Sequence, residues 1–327
     1  VQRAGARFEL LVLRVYPEAR APAEQPVQLI HHEGEVNRAR YMPQNAALVA
    51  TKTVSGEVHV FDTSRHPARP PAGNTGAPDM RLTGHTDQGF GVCWSPVLPG
   101  RLLSGSNDAR VCVWDIAAAS PSTAALHTYT GHTGAVGDVA WHATQPSTFG
   151  SVGDDYTLRL WDTRKPPAEA CVHTVRAHDA EVYCLAFNPR NEYLLATGSA
   201  DKCVELFDTR RLGASVHTLL CDTDDLRTGE VLTLAWSPHH EAVLASCGAE
   251  RRVMVWDFTR IGAEQNAEDA EDGPPELLFS HGGHMAKVSD FAWNASQEWT
   301  VASVAEDHEL QVWRPVAAMF MDEDGEA

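Results

Sequence analysis

The sequence predicts an all-β chain built from one small sheet repeated six times, and three observations carry that prediction. A spaced signature recurs along the chain. His32, His85, His132, His178 and His284 each open a unit; nine residues on stands an aromatic (Tyr41, Trp94, Trp141, Phe187, Trp293), and twenty-nine residues on another (Phe61, Trp114, Trp161, Phe207, Trp313). A sixth unit keeps the frame with Trp236 and Trp256, although Arg227 stands at its opening position. Self-similarity at a fixed period marks a repeat architecture, in which each unit buries its apolar face against the next. The second observation is local: segments such as Val136–Trp141, 193–197 and 204–207 are short and rich in β-branched or aromatic residues. Turn formers separate them, as in Asn188-Pro189-Arg190-Asn191 and Ser199-Ala200-Asp201-Lys202. The third is composition: at 43% hydrophobic residues in 327, the chain has enough apolar side chains for a core.

Gly84-His85, Gly131-His132, Ala177-His178 and Gly283-His284 are answered in their units by Trp114-Asp115, Trp161-Asp162, Phe207-Asp208 and Trp313; the Arg227 unit has Trp256-Asp257. These marks, from about residue 31 to 314, resemble the WD-repeat family, whose repeat is one four-stranded propeller blade. The resemblance implies a seven-bladed WD-repeat β-propeller over residues 1–315, with its N-terminal part lying before Val1. Residues 1–31 would then be a partial first blade, with 8–15 and 27–30 as its last two strands; full repeats open at 32, 85, 132, 178, 227 and 284; and 316–327 begin a C-terminal helix and an acidic tail. It also implies that the His, a turn acid and the strand Trp of each blade are joined by hydrogen bonds. The acids fall twenty-three residues after the opening position: Asp108, Asp155, Asp201, Asp307 and, in the Arg227 unit, Glu250. A pair such as His132 and Asp155 has the residue types of an acid–base dyad, but repetition in several units makes it a structural tie.

A formal net charge of −18 argues against a nucleic-acid backbone as direct ligand and fits either basic protein partners or plain solubility. Seven cysteines at 93, 112, 171, 184, 203, 221 and 247, none with CxxC spacing, read as reduced core thiols of an intracellular protein rather than a zinc site or disulfide framework. The longest apolar stretch near the start, 8–15, is too short to span a membrane. Nucleophile motifs, phosphate loops and clustered metal ligands are missing from the sequence, so no enzyme activity, cofactor or metal is expected.

Two stretches are more specific: His32-Glu33-Gly34-Glu35-Val36-Asn37-Arg38-Ala39-Arg40-Tyr41-Met42-Pro43-Gln44-Asn45, and Glu268-Asp269-Ala270-Glu271-Asp272-Gly273-Pro274-Pro275-Glu276-Leu277-Leu278-Phe279 followed by His281-Gly282-Gly283-His284. Both are similar to the retinoblastoma-associated histone-binding WD proteins, which include the small subunit of chromatin assembly factor one. The resemblance implies a nuclear, partly cytoplasmic, non-enzymatic subunit that presents histones three and four to chromatin-assembly, deacetylase, acetyltransferase or polycomb complexes. It implies a groove for a histone-four helix made by Glu268, Asp269, Glu271, Asp272, Leu277, Leu278, Phe279, Met319 and Phe320. Read without it, residues 264–276 are an acidic loop stiffened by Pro274 and Pro275.

A second surface follows from strand alternation: positions three and five after each opening residue point to a common rim. The resemblance makes this rim a site for the basic tail of histone three, with Glu35, Asn37, Arg38, Phe90, Glu181, Tyr183, Glu230, Lys287 and Glu306 as candidates. Gln88, Gly137, Tyr183 and Leu232 depart from the family pattern there. The alternative reading is a cullin-type ubiquitin-ligase receptor, whose adaptor would dock on Asp155, Trp161, Asp162 and Arg164; the plainer explanation is that this WDxR box is an ordinary repeat end, because Phe207-Asp208-Thr209-Arg210 repeats it.

Overall fold

A computed structural model describes residues 8–12, 28–70, 76–118, 121–220, 229–266, 270 and 273–315. The chain divides into two compact units, Val1–Trp141 with Thr163–Ala170, and His142–Asp162 with Cys171–Ala327.

In the first unit β1 (Phe8–Val12) pairs antiparallel with β2 (Gln28–His32). The first full repeat is an antiparallel meander of β3 (Val36–Met42), β4 (Asn45–Thr53), β5 (Val58–Asp62) and β6 (Met80–Thr83). The second repeat comprises β7 (Val92–Trp94), β8 (Arg101–Gly105) and β9 (Arg110–Asp115) and, after β10 (Ser122–Ala124), β11 (His127–Thr130) on the edge of β9. β10 adds itself parallel to β6 as a fifth strand of the preceding sheet, through bonds such as Arg81 N to Pro121 O at 2.8 Å. β12 (Val136–Trp141), which opens the third repeat, lies against β7 and β8.

The second unit holds β13 (Thr148–Gly153), β14 (Thr157–Asp162) and β15 (Cys171–Arg176) of that third repeat. The fourth repeat is β16 (Val182–Phe187), β17 (Leu194–Ser199), β18 (Cys203–Asp208) and β19 (His217–Leu220). The fifth is β20 (Val231–Trp236), β21 (Val243–Gly248), β22 (Val253–Asp257) and β23 (Leu277–His281). The sixth stops at three strands, β24 (Val288–Trp293), β25 (Val301–Ala305) and β26 (Leu310–Trp313). The described residues thus make six blades and not seven. The β1–β2 pair is a separate two-stranded sheet that no further strand joins among the described residues, so the expected seventh blade is not complete there.

The first strands of successive repeats explain themselves. β12, β16 and β20 share the burial order buried, half-buried, buried, buried, half-buried, buried, seen in Val182, Cys184, Leu185 and Phe187 and again in Val231, Thr233, Leu234 and Trp236. Strict alternation would not bury two consecutive residues. A β-bulge does: the register shifts between Val182 and Cys184, Val231 and Thr233, Val288 and Asp290, and Val36 and Arg38.

The repeat histidines sit one to a sheet, as expected, but their partners differ from the predicted line. His178 Nε2 meets Thr197 Oγ1 at 2.8 Å and its Nδ1 meets Asp201 at 2.9 Å. His284 Nε2 meets Ser303 Oγ at 2.8 Å, Nδ1 meets Asp307 at 3.3 Å, and Trp313 Nε1 donates to the same Ser303 Oγ at 3.0 Å. The Trp therefore reaches the His through a hydroxyl, nineteen residues after the opening position, where the sequence reads Thr51, Ser104, Ser151, Thr197, Ser246 and Ser303. The His85 repeat departs again: Nε2 faces the Ser104 carbonyl at 3.1 Å, and Trp114 Nε1 donates to Thr83 O at 3.2 Å. Burial works against the Asp201 carboxylate, but the His178 hydrogen bond and backbone N–H groups outweigh it and hold the group at about 2.

Three of the aromatics nine residues after an opening stitch one repeat to the next within a unit. Trp94 Nε1 donates to Arg40 O at 2.9 Å, Trp236 to Ala186 O at 3.0 Å and Trp293 to Ala235 O at 3.0 Å. Trp293→Phe keeps the ring but deprives the Ala235 carbonyl of this donor, and is expected to cost about 1 kcal/mol in urea unfolding. No measurable loss would show that this carbonyl finds water at no cost.

Candidate interaction surfaces

The rim of five of the six repeats is fixed by one recurring backbone bond. The carbonyl three residues after the opening accepts from the N–H nineteen residues later: Val54 N to Glu35 O at 3.4 Å, Asn107 to Gln88 at 2.8 Å, Ala200 to Glu181 at 2.9 Å, Ala249 to Glu230 at 3.2 Å and Glu306 to Lys287 at 2.9 Å. The bulge then leaves the fifth residue, such as Tyr183 or Leu232, without a register partner, which turns it outward beside that bond. Rim positions are therefore three, five and twenty-two.

In the second unit this geometry gathers negative charge. Glu181 and Tyr183 are half-buried, and Glu230 and Asp154 are exposed. Burial raises the Tyr183 phenol, and the fields of Glu230, Glu181 and Asp154 raise it further. Burial likewise raises the Asp154 carboxyl, helped by Glu181 and Asp155. These groups repel one another in the folded state and favour a cation among them. Asp154 was not among the sequence candidates; its position, twenty-two residues after His132, is the signal that identifies it. Lys287 and Glu306 lie side by side on the rim of the last repeat.

The first unit is different. Glu35 is exposed and Phe90 is 50% exposed, but two other candidates already have partners. Asn37 Nδ2 donates to Gly89 O at 3.0 Å, and Arg38 forms an ion pair with Asp138 at 2.8 Å in which each side chain is 12% exposed. Their visible role is to hold adjacent strands.

The loop before β23 frames an open cavity of about 400 Å³ lined by Arg260, Glu264, Gln265, Pro274, Pro275 and Leu277, among others. Its base is stitched by Leu277 N to Pro274 O at 2.9 Å and Asp257 N to Glu276 O at 2.8 Å, and the largely buried Glu276 faces His217 at 3.6 Å. Of the apolar candidates Leu277 lines this cavity, whereas Leu278 and Phe279 pack against the core of the last two repeats, Phe279 with its ring 5.6 Å from that of Trp313. Glu268, Asp269, Glu271, Asp272, Met319 and Phe320 lie outside the described residues.

In the adaptor box Trp161 is 1% exposed, donates to Ser151 Oγ at 2.8 Å and stacks on Phe149 at 5.8 Å. Asp155 accepts from Thr157 Oγ1 at 2.7 Å, Asp162 is half-buried, and Arg164 is exposed in the other unit's segment. Elsewhere the matching Asp caps a short 3-10 turn: Asp62, Asp115, Asp208 and Asp257 accept from the N–H two residues on. Arg210 pairs with Asp208 at 2.6 Å over the Tyr193 ring. The plainer explanation of WDxR as a repeat end accounts for these contacts.

Six described cysteines are free thiols; burial pushes Cys93 and Cys112 up to about 11. No cluster of His, Cys, Asp or Glu able to hold a metal ion occurs among the described residues. No helix there is long and apolar enough to cross a membrane.

Small antiparallel sheets, several of them tied by a histidine and a hydroxyl or stitched to a neighbour by an indole, define a β-repeat protein whose loops and rims are its working surfaces. Residues 76–115, 124–162, 169–208, 215–257 and 275–314 match the WD domain, G-beta repeat, family. These stretches make up more than half of the chain, and the chain belongs to that family of β-propeller proteins. WD-repeat propellers typically serve as non-catalytic scaffolds for protein–protein interaction, and the surfaces above fit that role.

Proposed function

We propose that this chain is a histone-binding scaffold subunit in the nucleus, presenting histones three and four to chromatin-assembly or histone-modifying partners that regulate transcription. The observation that carries this reading is the cluster of Glu181, Asp154 and Glu230 around Tyr183: three carboxylates gathered at one rim, whose fields add to burial in raising the Tyr183 phenol, an arrangement that favours a cation. Extended peptides rich in Arg and Lys supply that cation, and the net charge of −18 steers them in. The cavity before β23 is the second support, since an acidic, proline-stiffened loop beside an apolar strand suits a basic amphipathic helix. The similarity to the histone-binding WD proteins names the partner. On this reading β1 and β2 belong to a seventh blade.

The test is retention of recombinant histone three–four dimers by the immobilised chain at moderate salt, with histone two-A–two-B dimers as the control for charge alone. Selective retention is expected. Equal retention of both dimers, or of neither, would overturn the proposal.

A further inference from the structure

The residue ten positions after an opening follows the first strand and shapes the turn beyond it. In the fourth repeat Asn188 also reaches the next repeat: its Oδ1 accepts from Arg190 N at 2.8 Å and Asn191 N at 2.9 Å, and its Nδ2 donates to Glu241 O at 2.7 Å. The third repeat builds the same constellation from an imidazole. His142 Nδ1 accepts from Thr144 N at 3.2 Å and Gln145 N at 3.1 Å, and its Nε2 donates to Glu192 O of the fourth repeat at 2.9 Å. Those partners fix the tautomer, since Nδ1 faces two donors and Nε2 an acceptor. The sibling positions hold Ser95, Ser237 and Asn294, each accepting from the N–H groups two and three residues on. Of these five side chains only the imidazole can take up a proton.

The junction is one where the stitch counts. Position nine of the fourth repeat is Phe187, which has no N–H to return to the third, whereas Trp236 and Trp293 donate across the two later junctions. His142 is 3% exposed, with its ring 5.0 Å from that of Phe187. Its own turn brings Thr144 and Gln145 against it, and the fourth repeat brings Phe187 and Glu192; of these groups Glu192 alone titrates. Burial lowers the imidazole below its ordinary range, and the carbonyl and charge of Glu192 oppose this less strongly.

We propose that His142 is an acid-sensitive joint between the third and fourth repeats: a proton taken up at Nδ1 turns the acceptor of the 142–145 turn into a donor, the turn opens, and the imidazolium leaves Glu192 O for water. The joint is independent of the histone reading. Its sign follows from burial. The closed imidazole binds a proton less readily than an exposed one, so the joint is fully stable above about pH 6.5 and weakens about tenfold per pH unit below it.

The test is an NMR titration of the whole chain from about pH 7.5 to about pH 5.5. At the upper end the ring nitrogens of His142 should report the Nε2–H tautomer. On acidification the Thr144 and Gln145 amides should lose about tenfold in protection from solvent exchange, after correction for intrinsic rates, and the Glu192 carbonyl carbon should shift with them. The Ser296 and Gln297 amides, held in the same way by Asn294, are the reference and should not change. His142→Asn should keep both sets of bonds, as Asn188 does, and abolish the pH dependence. An Nδ1–H tautomer at neutral pH, acid-independent protection at Thr144 and Gln145, a parallel loss at Ser296 and Gln297, an unmoved Glu192 carbonyl, or an unchanged pH dependence in His142→Asn would overturn the proposal.

Discussion

Trp256→Ala is expected to remove about 3–5 kcal/mol of stability, because it combines a cavity with a lost buried hydrogen bond. Trp256 is 1% exposed and packs with Trp236, Leu244, Met254 and Leu219 in one apolar cluster. Deleting an indole there removes dispersion contacts on every side, and a close-packed β-sheet core recovers few of them by relaxation. The indole N–H also vanishes, leaving Ser246 Oγ without its donor. Trp256→Phe isolates that second part and should cost about 1–2 kcal/mol. Urea unfolding followed by circular dichroism reads both. A Trp256→Ala variant within 1 kcal/mol of the parent would mean that the aromatic repeat position does not hold the blade, and the fold argument from twelve phased aromatics would fail with it.

Much of that fold was legible because repetition multiplies weak local signals. One His–aromatic spacing means little; six units in phase, five of them opened by His, marked out the six repeats and their order. Features that break periodicity were hidden. The bulge in β16 or β20 inserts one residue without any Gly or Pro to mark it, so alternation gave the right rim positions for an incomplete reason. The left-handed residue in each second turn was equally silent. Ala109, Tyr156, Lys202, Arg251 and His308 all adopt φ between 60° and 73° there, and only Gly56 announces it. The Ser/Thr nineteen residues after each opening was visible in all six repeats, but serine and threonine are common enough that only the geometry shows Ser303 as the link between indole and imidazole. The short β10 has no hydrophobic stripe, and its parallel place on β6 comes from backbone bonds that leave no mark on composition. At the sites, the acids of the second unit were readable from spacing, whereas the engagement of Arg38 with Asp138, a hundred residues away, was not.

The double reversal Glu181→Lys/Glu230→Lys is expected to weaken binding of an Arg/Lys-rich histone-three tail peptide about a hundredfold while leaving Tm nearly unchanged. Each reversal removes an attraction and adds a repulsion; at rim positions one half-buried and one exposed, both screened in part by solvent, that comes to about tenfold apiece. Both residues lie on the rim, and the backbone bonds to Ala200 and Ala249 are made by their carbonyls, which any side chain retains. Fold and binding therefore separate in one protein. Salt separates charge from shape: raising ionic strength should erase most of the difference between parent and variant, since exposed charges more than about 10 Å apart are screened at 0.1 M. Tyr183 supplies an internal gauge. Its phenol is raised by burial and then by Glu230, Glu181 and Asp154, so reversing two of the three should bring its titration to lower pH, read against Tyr183→Phe as the subtraction. A lower Tyr183 titration with unchanged peptide affinity would show that the charges were altered as intended and that the rim is not where the peptide binds.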